Sequence, residues 1–384
     1  MRRRTFLRAA AVGAGALLLT PIESALGAPP GSPAPTYAEQ AESTYKSMQS
    51  TFYASSYSLY REDTSGSGWY AFCWPMSRAS SGTIDLTLIS KSFATKYRAA
   101  VNDRMAGTSR YWDGAGHTSY VAPPLGWGGD RYYDDNNWMG MNLARAHAST
   151  RDSGYLARAR ETFAFVASGW DSARGGVYWK EQTATEANRD RGTVSNGGAA
   201  VLAMQLFIAT GEVAYRDWAV RLVGWVDATL RDPADGLYWD NIKGDGSIDY
   251  TKWSYNQGLM ALAGKLLADY PKGATYDAAA YADRAATIIN SALGFYNGGW
   301  EGQGAAFNAV FFRAAHYIAR ANATLLTKVQ AAARGYASAM WTSPRRRNGV
   351  WYDDGGVARL IESGAMVELF SILAMPSSAY PRLV

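Results

Sequence analysis

Residues 198–209, GAAVLAMQLFIA, are apolar on nearly every side, whereas residues 212–231, EVAYRDWAVRLVGWVDATLR, carry one apolar stripe. In the second stretch Tyr215, Trp218, Ala219, Leu222 and Val226 recur at helical spacing, and Arg216, Asp217, Arg221 and Asp227 lie off that stripe. A striped helix buries one face and keeps the other wet, while a helix apolar all round is enclosed by neighbours. Both characters return along the chain. Residues 258–268, GLMALAGKLLA, are of the enclosed type, and 321–340 are striped through Leu325, Val329, Ala332, Ala333 and Tyr336.

Between the helices stand loops of one flavour, Gly followed by Trp or Tyr and then polar or acidic residues. They read Gly68-Trp69-Tyr70, Gly126-Trp127, Gly176-Val177-Tyr178-Trp179, Gly236-Leu237-Tyr238-Trp239-Asp240, Gly299-Trp300-Glu301 and Gly349-Val350-Trp351-Tyr352-Asp353. An apolar stretch follows each, starting near residues 78, 134, 194, 250, 305 and 356, so the intervals run from 51 to 60 residues. A period that regular marks a repeat architecture. Pairing each wet helix with the dry helix after it gives hairpins starting near 37/78, 92/134, 153/194, 212/250, 276/305 and 321/356. The second wet helix, 92–104, has the least regular pattern. Six outer and six inner helices predict an all-α fold, an (α/α)6 toroid, as a single domain over 37–384. The Gly–aromatic loops, with short β-hairpin-like pieces, would gather at one mouth above the inner-helix N-termini. An open solenoid of the same hairpins is the alternative, but no repeat looks like a polar cap.

Composition narrows the chemistry. The 384 residues carry formal charge +5, 48% hydrophobic and 18% charged residues, the balance of a globular protein with an ample core. One cysteine, Cys73, excludes an internal disulfide and a thiolate metal cluster, and Cys73 is expected to be a buried small hydrophobe. Three scattered histidines, His117, His147 and His316, leave little for a histidine-built metal centre, and no phosphate-cradling glycine motif is present. No cofactor and no metal are expected. The 14 Trp and 25 Tyr together outnumber the 38 Lys and Arg, and flat amphipathic rings suit stacking on sugars.

Arg2-Arg3-Arg4-Thr5-Phe6-Leu7-Arg8, the apolar run Ala9 to Leu19 and the small residues Ala25-Leu26-Gly27-Ala28 read as a signal peptide over 1–28. The basic string resembles a bacterial twin-arginine export signal, which implies a secreted protein. An eleven-residue apolar run is too short to span a bilayer, so no stable membrane span is expected. Residues 29–36 form a Pro/Gly/Ser/Ala linker. Removing 1–28 leaves 34 basic against 32 acidic residues, which does not favour nucleic-acid binding. Arg345-Arg346-Arg347 reads as a solvated turn, and Asp245-Gly246-Ser247-Ile248-Asp249 as a turn with a faint echo of a calcium loop.

Arg131-Tyr132-Tyr133-Asp134-Asp135-Asn136-Asn137-Trp138 is the string richest in chemistry. It sits where the second loop meets its inner helix. Neighbouring side chains there start roughly 5–6 Å apart, close to the about 5 Å between the carboxyl groups of retaining glycosidases. An acidic pair at a helix start also serves as a simple cap. Three aromatics alongside, a ring of similar loops and an export signal favour catalysis. Trp127, Trp138, Tyr178, Trp239 and Trp351 are candidates either to stack on sugar or to pack between helices. Asn256 and Gln257 open an inner helix, to bind hydroxyls or to cap it. Asp240, Glu301, Asp353 and Asp354 are read as hydrogen-bonding acids.

Tyr133-Asp134-Asp135-Asn136-Asn137-Trp138 resembles the paired-aspartate signature of glycoside hydrolase family 76, the endo-α-1,6-mannanases. Gly175-Gly176-Val177-Tyr178-Trp179 with Ser195-Asn196-Gly197, Thr210-Gly211-Glu212-Val213-Ala214-Tyr215, and Trp253-Ser254-Tyr255-Asn256-Gln257-Gly258 also resemble that family. The likeness spans roughly 37–375 and implies the (α/α)6 fold, with Asp134 as nucleophile and Asp135 as general acid/base. It implies an endo-acting, retaining enzyme on α-1,6-mannan, a polysaccharide or oligosaccharide substrate; a monomer is expected. Tyr133, Asn196, Tyr255, Phe307 and Arg313 join the aromatic and amide residues above as expected substrate contacts. One departure stands out: Phe307-Asn308-Ala309-Val310-Phe311-Phe312-Arg313 keeps the family's Phe and Arg but not its Lys and Gly. Core packing is expected of Phe311, and Arg313 needs a buried partner or the cleft. A transglycosylase acting on α-mannosyl glycans, and a non-catalytic glycan-binding protein with the same groove, are the alternatives.

Overall fold

A computed structural model describes residues 34–114, 118–182 and 188–384. The expected signal peptide, most of the linker and His117 lie outside the described residues. Twelve α-helices occur among the described residues. They are α1 (Tyr37–Phe52), α2 (Cys73–Ile89), α3 (Lys91–Thr108), α4 (Tyr133–Thr150), α5 (Ser153–Ser168) and α6 (Thr193–Thr210), followed by α7 (Val213–Thr229), α8 (Ser254–Asp269), α9 (Ala278–Phe295), α10 (Ala305–Ala319), α11 (Ala323–Thr342) and α12 (Leu360–Ala374). Even-numbered helices are the enclosed ones. They pack side by side in the order α2, α4, α6, α8, α10, α12, and α12 returns to pack on α2. The ring is closed, as the repeat predicted, and the open solenoid is excluded.

Glycine makes the closing seam tight. A Cβ on Gly364 of α12 would lie 2.7 Å from the Ala79 backbone nitrogen of α2, and one on Gly82 would lie 2.9 Å from the Gly364 carbonyl oxygen. Only a residue without a side chain permits backbones that close. Helix α6 is long and apolar enough to cross a membrane, yet most of it is buried among its neighbours, as its enclosed pattern demands.

The pairing of the helices differs from the sequence-based expectation. Each outer helix packs chiefly on the inner helix before it, not the one after it, and α1 packs on α12. The connections explain this. Ser90 alone joins α2 to α3, Arg151 and Asp152 join α4 to α5, and Gly211 and Glu212 join α6 to α7. Links that short force antiparallel contact, whereas the Gly–aromatic loops are long enough to let the next inner helix step around the ring.

The two ends of the toroid have opposite capping. Four outer helices start with a side-chain cap: Ser90, Asp152, Asp277 and Asn322 each accept a bond from a first-turn N–H. No inner helix does. Phe72, Tyr132, Gly192, Trp253, Gly304 and Arg359 hold those N-cap positions without a side-chain cap bond. Six positive helix ends therefore face the mouth where the loops gather.

The loops carry the expected short strand pairs. Trp112–Asp113 pairs with Ser119–Tyr120, and Arg191–Gly192, Asn241–Ile242 and Ile248–Asp249 form one three-stranded piece. The 245–249 segment is thus a hairpin turn, with Asp245 Oδ1 accepting from the Ser247 N–H and hydroxyl. Arg346–Arg347 pairs with Val350–Trp351 across a turn with Asn348 at φ 53° and Gly349 at φ 80°. The basic cluster is a turn, but not a wholly solvated one: Arg346 stacks on Trp341 and Arg347 on Tyr352. Cys73 is buried, as expected, its thiol donating to the Val121 carbonyl.

Candidate active site

Asp134 and Asp135 are the second and third residues of α4 and stand at the mouth. Asp135 is 1% exposed and Asp134 half-buried. The backbone N–H of Asp135 donates to Asp134 Oδ1 at 2.9 Å, and the indole Nε1 of Trp179 donates to Oδ2 at 3.3 Å. Two N–H donors and an uncapped helix terminus all favour a negative charge on that carboxylate. Trp179 reaches it from the loop ahead of α6. Its carbonyl accepts the Tyr133 N–H at 3.0 Å, Lys180 bridges to Tyr132, and the Tyr132 and Trp179 rings meet at 4.8 Å.

Three further inner helices floor the mouth with rings. Tyr255 of α8 lies flat on Phe307 of α10, with centroids 4.0 Å apart and planes 4° from parallel. Trp74 of α2 stacks on the same Phe307 at 5.4 Å. Beside them Asp240 accepts from Asn256 Nδ2 at 3.1 Å and from Asn241 Nδ2 at 2.8 Å. Burial pushes the Asp240 carboxyl up to about 6, against those two bonds. The Asn256 Oδ1 has no hydrogen-bond partner among the described residues. Adjacent carboxyls, flat rings and spare amide groups at one opening are the equipment to grip a sugar and cleave beside it.

The sequence model of glycosyl hydrolase family 76 matches residues 36–375. The chain belongs to that family. Among solved structures it is similar to a family 76 mannosidase from Bacteroides thetaiotaomicron, with TM-score 0.77 and 23% identity over 88% of this chain and 98% of that one. It is also similar to an α-1,6-mannanase of Salegentibacter sp. HEL1_6, as an inactive variant with two aspartates replaced by asparagine, in complex with α-1,6-mannotriose. There the TM-score is 0.72, with 21% identity over 88% of this chain and 99% of that one. Among curated sequences, a mannan endo-1,6-α-mannosidase of Candida glabrata is 36% identical over 113 residues, 28% of this chain and 25% of that protein. A meiotically up-regulated protein of Schizosaccharomyces pombe is 26% identical over 192 residues, 46% of this chain and 43% of that protein. The chain thus spans less than half the length of the curated relatives it matches.

Within this family 76 chain the expected site residues divide into three groups. Tyr255 and Phe307 lie in the aromatic floor, and Asn256 beside it. Trp127 is 49% exposed at the rim, and Trp239 packs edge-on against the exposed Tyr250 at 5.0 Å. Tyr178 is half-buried, with its hydroxyl on Asp171.

The second group consists of loop clamps. Asn196 accepts the Val177 N–H at 2.7 Å and donates to the Gly192 and Val177 carbonyls. Gln257 does the same to Tyr238 and Trp253, accepting at 2.7 Å and donating at 2.8 and 3.2 Å. Both spend their amides on backbone. Asn136 clamps Tyr120 and Tyr132 identically, and Asn308 donates to the Trp300 carbonyl at 2.6 Å. All four amides occupy the fourth residue of an inner helix. Sequence reasoning missed Asn136 and Asn308, although aligning the repeats on their helix starts displays the column.

The third group is buried. Tyr133 stacks on Phe165, and its ring lies where a Cβ on Gly169 would collide at 2.5 Å. Trp138 is 3% exposed beneath the Arg78 guanidinium, and Trp351 is 1% exposed with its indole N–H on the Met340 carbonyl. Arg313 finds its partner in the barrel interior rather than at the cleft. It bonds Glu368, Asp85, Ser81 and the Leu383 carbonyl, in a network shared with Arg78 and Arg145. Phe311 is core, as expected. Trp74 and Trp179 were not among the expected site residues, since nothing local separates them from the other tryptophans.

Proposed function

We propose that this chain is a retaining endo-α-1,6-mannanase. The observation that carries the reading is the Asp134–Asp135 pair on the first turn of α4, with Asp134 accepting from Trp179 Nε1 at 3.3 Å and from the Asp135 N–H at 2.9 Å. Support also comes from the similar Salegentibacter α-1,6-mannanase, whose doubly aspartate-substituted variant is inactive, and from the similar yeast mannan endo-1,6-α-mannosidase. Asp134, which accepts from the Asp135 N–H and the Trp179 indole, attacks the anomeric carbon of an α-mannosyl unit and forms a glycosyl ester. Asp135 gives its proton to the departing O6, then takes one from the incoming water. Replacement of water by a sugar hydroxyl would yield a longer glycan from the same ester.

Wild type, Asp134→Asn and Asp135→Asn are to be compared on linear α-1,6-mannan and α-1,6-mannotetraose, with anomeric products read by NMR. Short α-mannosides from wild type and from neither variant support the reading, and longer oligomers would turn it into transglycosylation. Binding without product, surviving both substitutions, would sink it.

The proposal extends to a monomeric, exported protein whose mature chain starts after residue 28. N-terminal sequencing of protein recovered outside the cell, with gel filtration, tests both points.

A further inference from the structure

Tryptophan is costly to leave in water, and in this chain Trp351 and Trp138 are almost wholly buried. Trp69 and Trp127 are not: they are 47% and 49% exposed. They come from different loops, those ahead of α2 and α4, yet their rings meet at 5.4 Å in an edge contact. Tyr70 lies 5.7 Å from Trp127, and Phe72 stacks with Trp69 at 6.2 Å.

The backbone is bent to hold these rings outward. Gly66 and Gly68 before Trp69 have φ of 79° and 77°. Around Trp127, Leu125, Gly126, Gly128 and Gly129 have φ of 64°, 70°, 71° and 117°. A leucine in the left-handed region is strained, and such strain persists only where the surroundings impose it. The first loop is also pinned, because Arg61 donates to the Gly68 carbonyl at 2.6 Å and lies over the Tyr70 ring at 4.5 Å. The two rings are therefore displayed on pinned turns rather than on a slack tip. Through Phe72 the loop that carries Trp69 leads directly into α2, whose second residue, Trp74, belongs to the aromatic floor.

We infer that Trp69 and Trp127 form a rim subsite that stacks a pyranose ring of the substrate chain, several sugar units from the bond cleaved at Asp134 and Asp135. The inference rests on the proposed polysaccharide-cleaving function. Rings already ordered before binding lose little entropy on contact, and the apolar face of a sugar covers indole without displacing any protein hydrogen bond. A chain long enough to reach the rim gains that contact, and a short one does not.

The test compares kcat/KM on α-1,6-mannohexaose and α-1,6-mannotriose for wild type, W69A/W127A and W69F/W127F, with circular dichroism as a fold check. Wild type is expected to prefer the hexaose. The alanine pair should shrink that preference about tenfold, a change worth roughly 1.4 kcal/mol, and the phenylalanine pair should keep most of it. An unchanged ratio in the alanine pair, or no length preference in wild type, overturns the subsite while leaving the activity standing. Should the double variant misfold, each single alanine variant must show part of the same loss. If wild type cleaves no α-1,6-mannan, the functional reading fails separately. Retardation in gels containing mannan, β-glucan or xylan then decides the subsite. Retardation that the alanine pair loses supports it, and none for wild type on any of them overturns it.

Discussion

The indole N–H of Trp179 donates to Asp134 Oδ2 at 3.3 Å, joining the loop ahead of α6 to the first turn of α4. The nucleophile proposed for one repeat is thus oriented by the next. Trp179→Phe keeps a ring against Tyr132 and removes only the donor. Its kcat on α-1,6-mannan should fall about 10- to 100-fold with KM little changed, since a donor aimed at a reacting carboxylate acts mainly on the chemical step. An unaltered kcat would show that the bond is incidental.

Gln257 separates positioning from sugar binding. Gln257→Leu strips partners from the Tyr238 N–H and the Tyr238 and Trp253 carbonyls, all held by the one amide. Unfolding in urea should show a loss of about 2–4 kcal/mol, the cost of several buried polar groups left unpaired. A stable variant with raised KM would instead return Gln257 to the substrate.

Arg313→Met should act on stability before it acts on binding. It leaves Asp85 and Glu368, both 0% exposed, short of the guanidinium they share. Removing one partner of a buried ionic cluster costs roughly 3–5 kcal/mol, so the midpoint of thermal unfolding should drop well before any change in KM is measurable.

Two groups, buried His316 and half-buried Asp240, give stability a pH dependence of opposite signs. Burial holds the His316 imidazole down to about 4, against an ordinary 6.5, so the unfolded chain takes up this proton first. Its contribution is complete above pH 6.5 and is lost as pH falls toward 4. Asp240 runs the other way. Its carboxyl sits at about 6, above the ordinary 3.8, so its contribution is complete below 3.8 and is lost as pH rises through 6. Melting temperatures from pH 3.5 to 8 should show His316→Phe flattening the acid limb. Asp240→Asn should gain stability at pH 8 and not at pH 3.5; a gain at both would remove ionisation as the cause.

The repeat was legible because helix periodicity is written in consecutive residues. Helix starts near 134, 194 and 305 fall within one residue of α4, α6 and α10, whereas the first inner helix begins at Cys73 rather than near 78. There the early turn of α2 reads as Gly–aromatic loop, because Trp74 extends the run begun by Trp69. Side-chain destinations were less legible. Gln257 and Asn256 are adjacent amides at one helix start, yet one clamps a loop and the other faces Asp240, since they point about 100° apart around the helix.

Local pattern alone therefore determined the alternation of outer and inner helices, their wet and dry faces, and an acidic pair on the first turn of α4, because each depends on residues within a few turns of one another. Tertiary structure decided the rest. Closure through Gly82 and Gly364, the packing of each outer helix on the inner helix before it, and the burial of Trp351 against the exposure of Trp69 all depend on contacts between residues far apart in the chain. A tryptophan's fate is set by what stands opposite its ring, and that neighbour comes from another repeat.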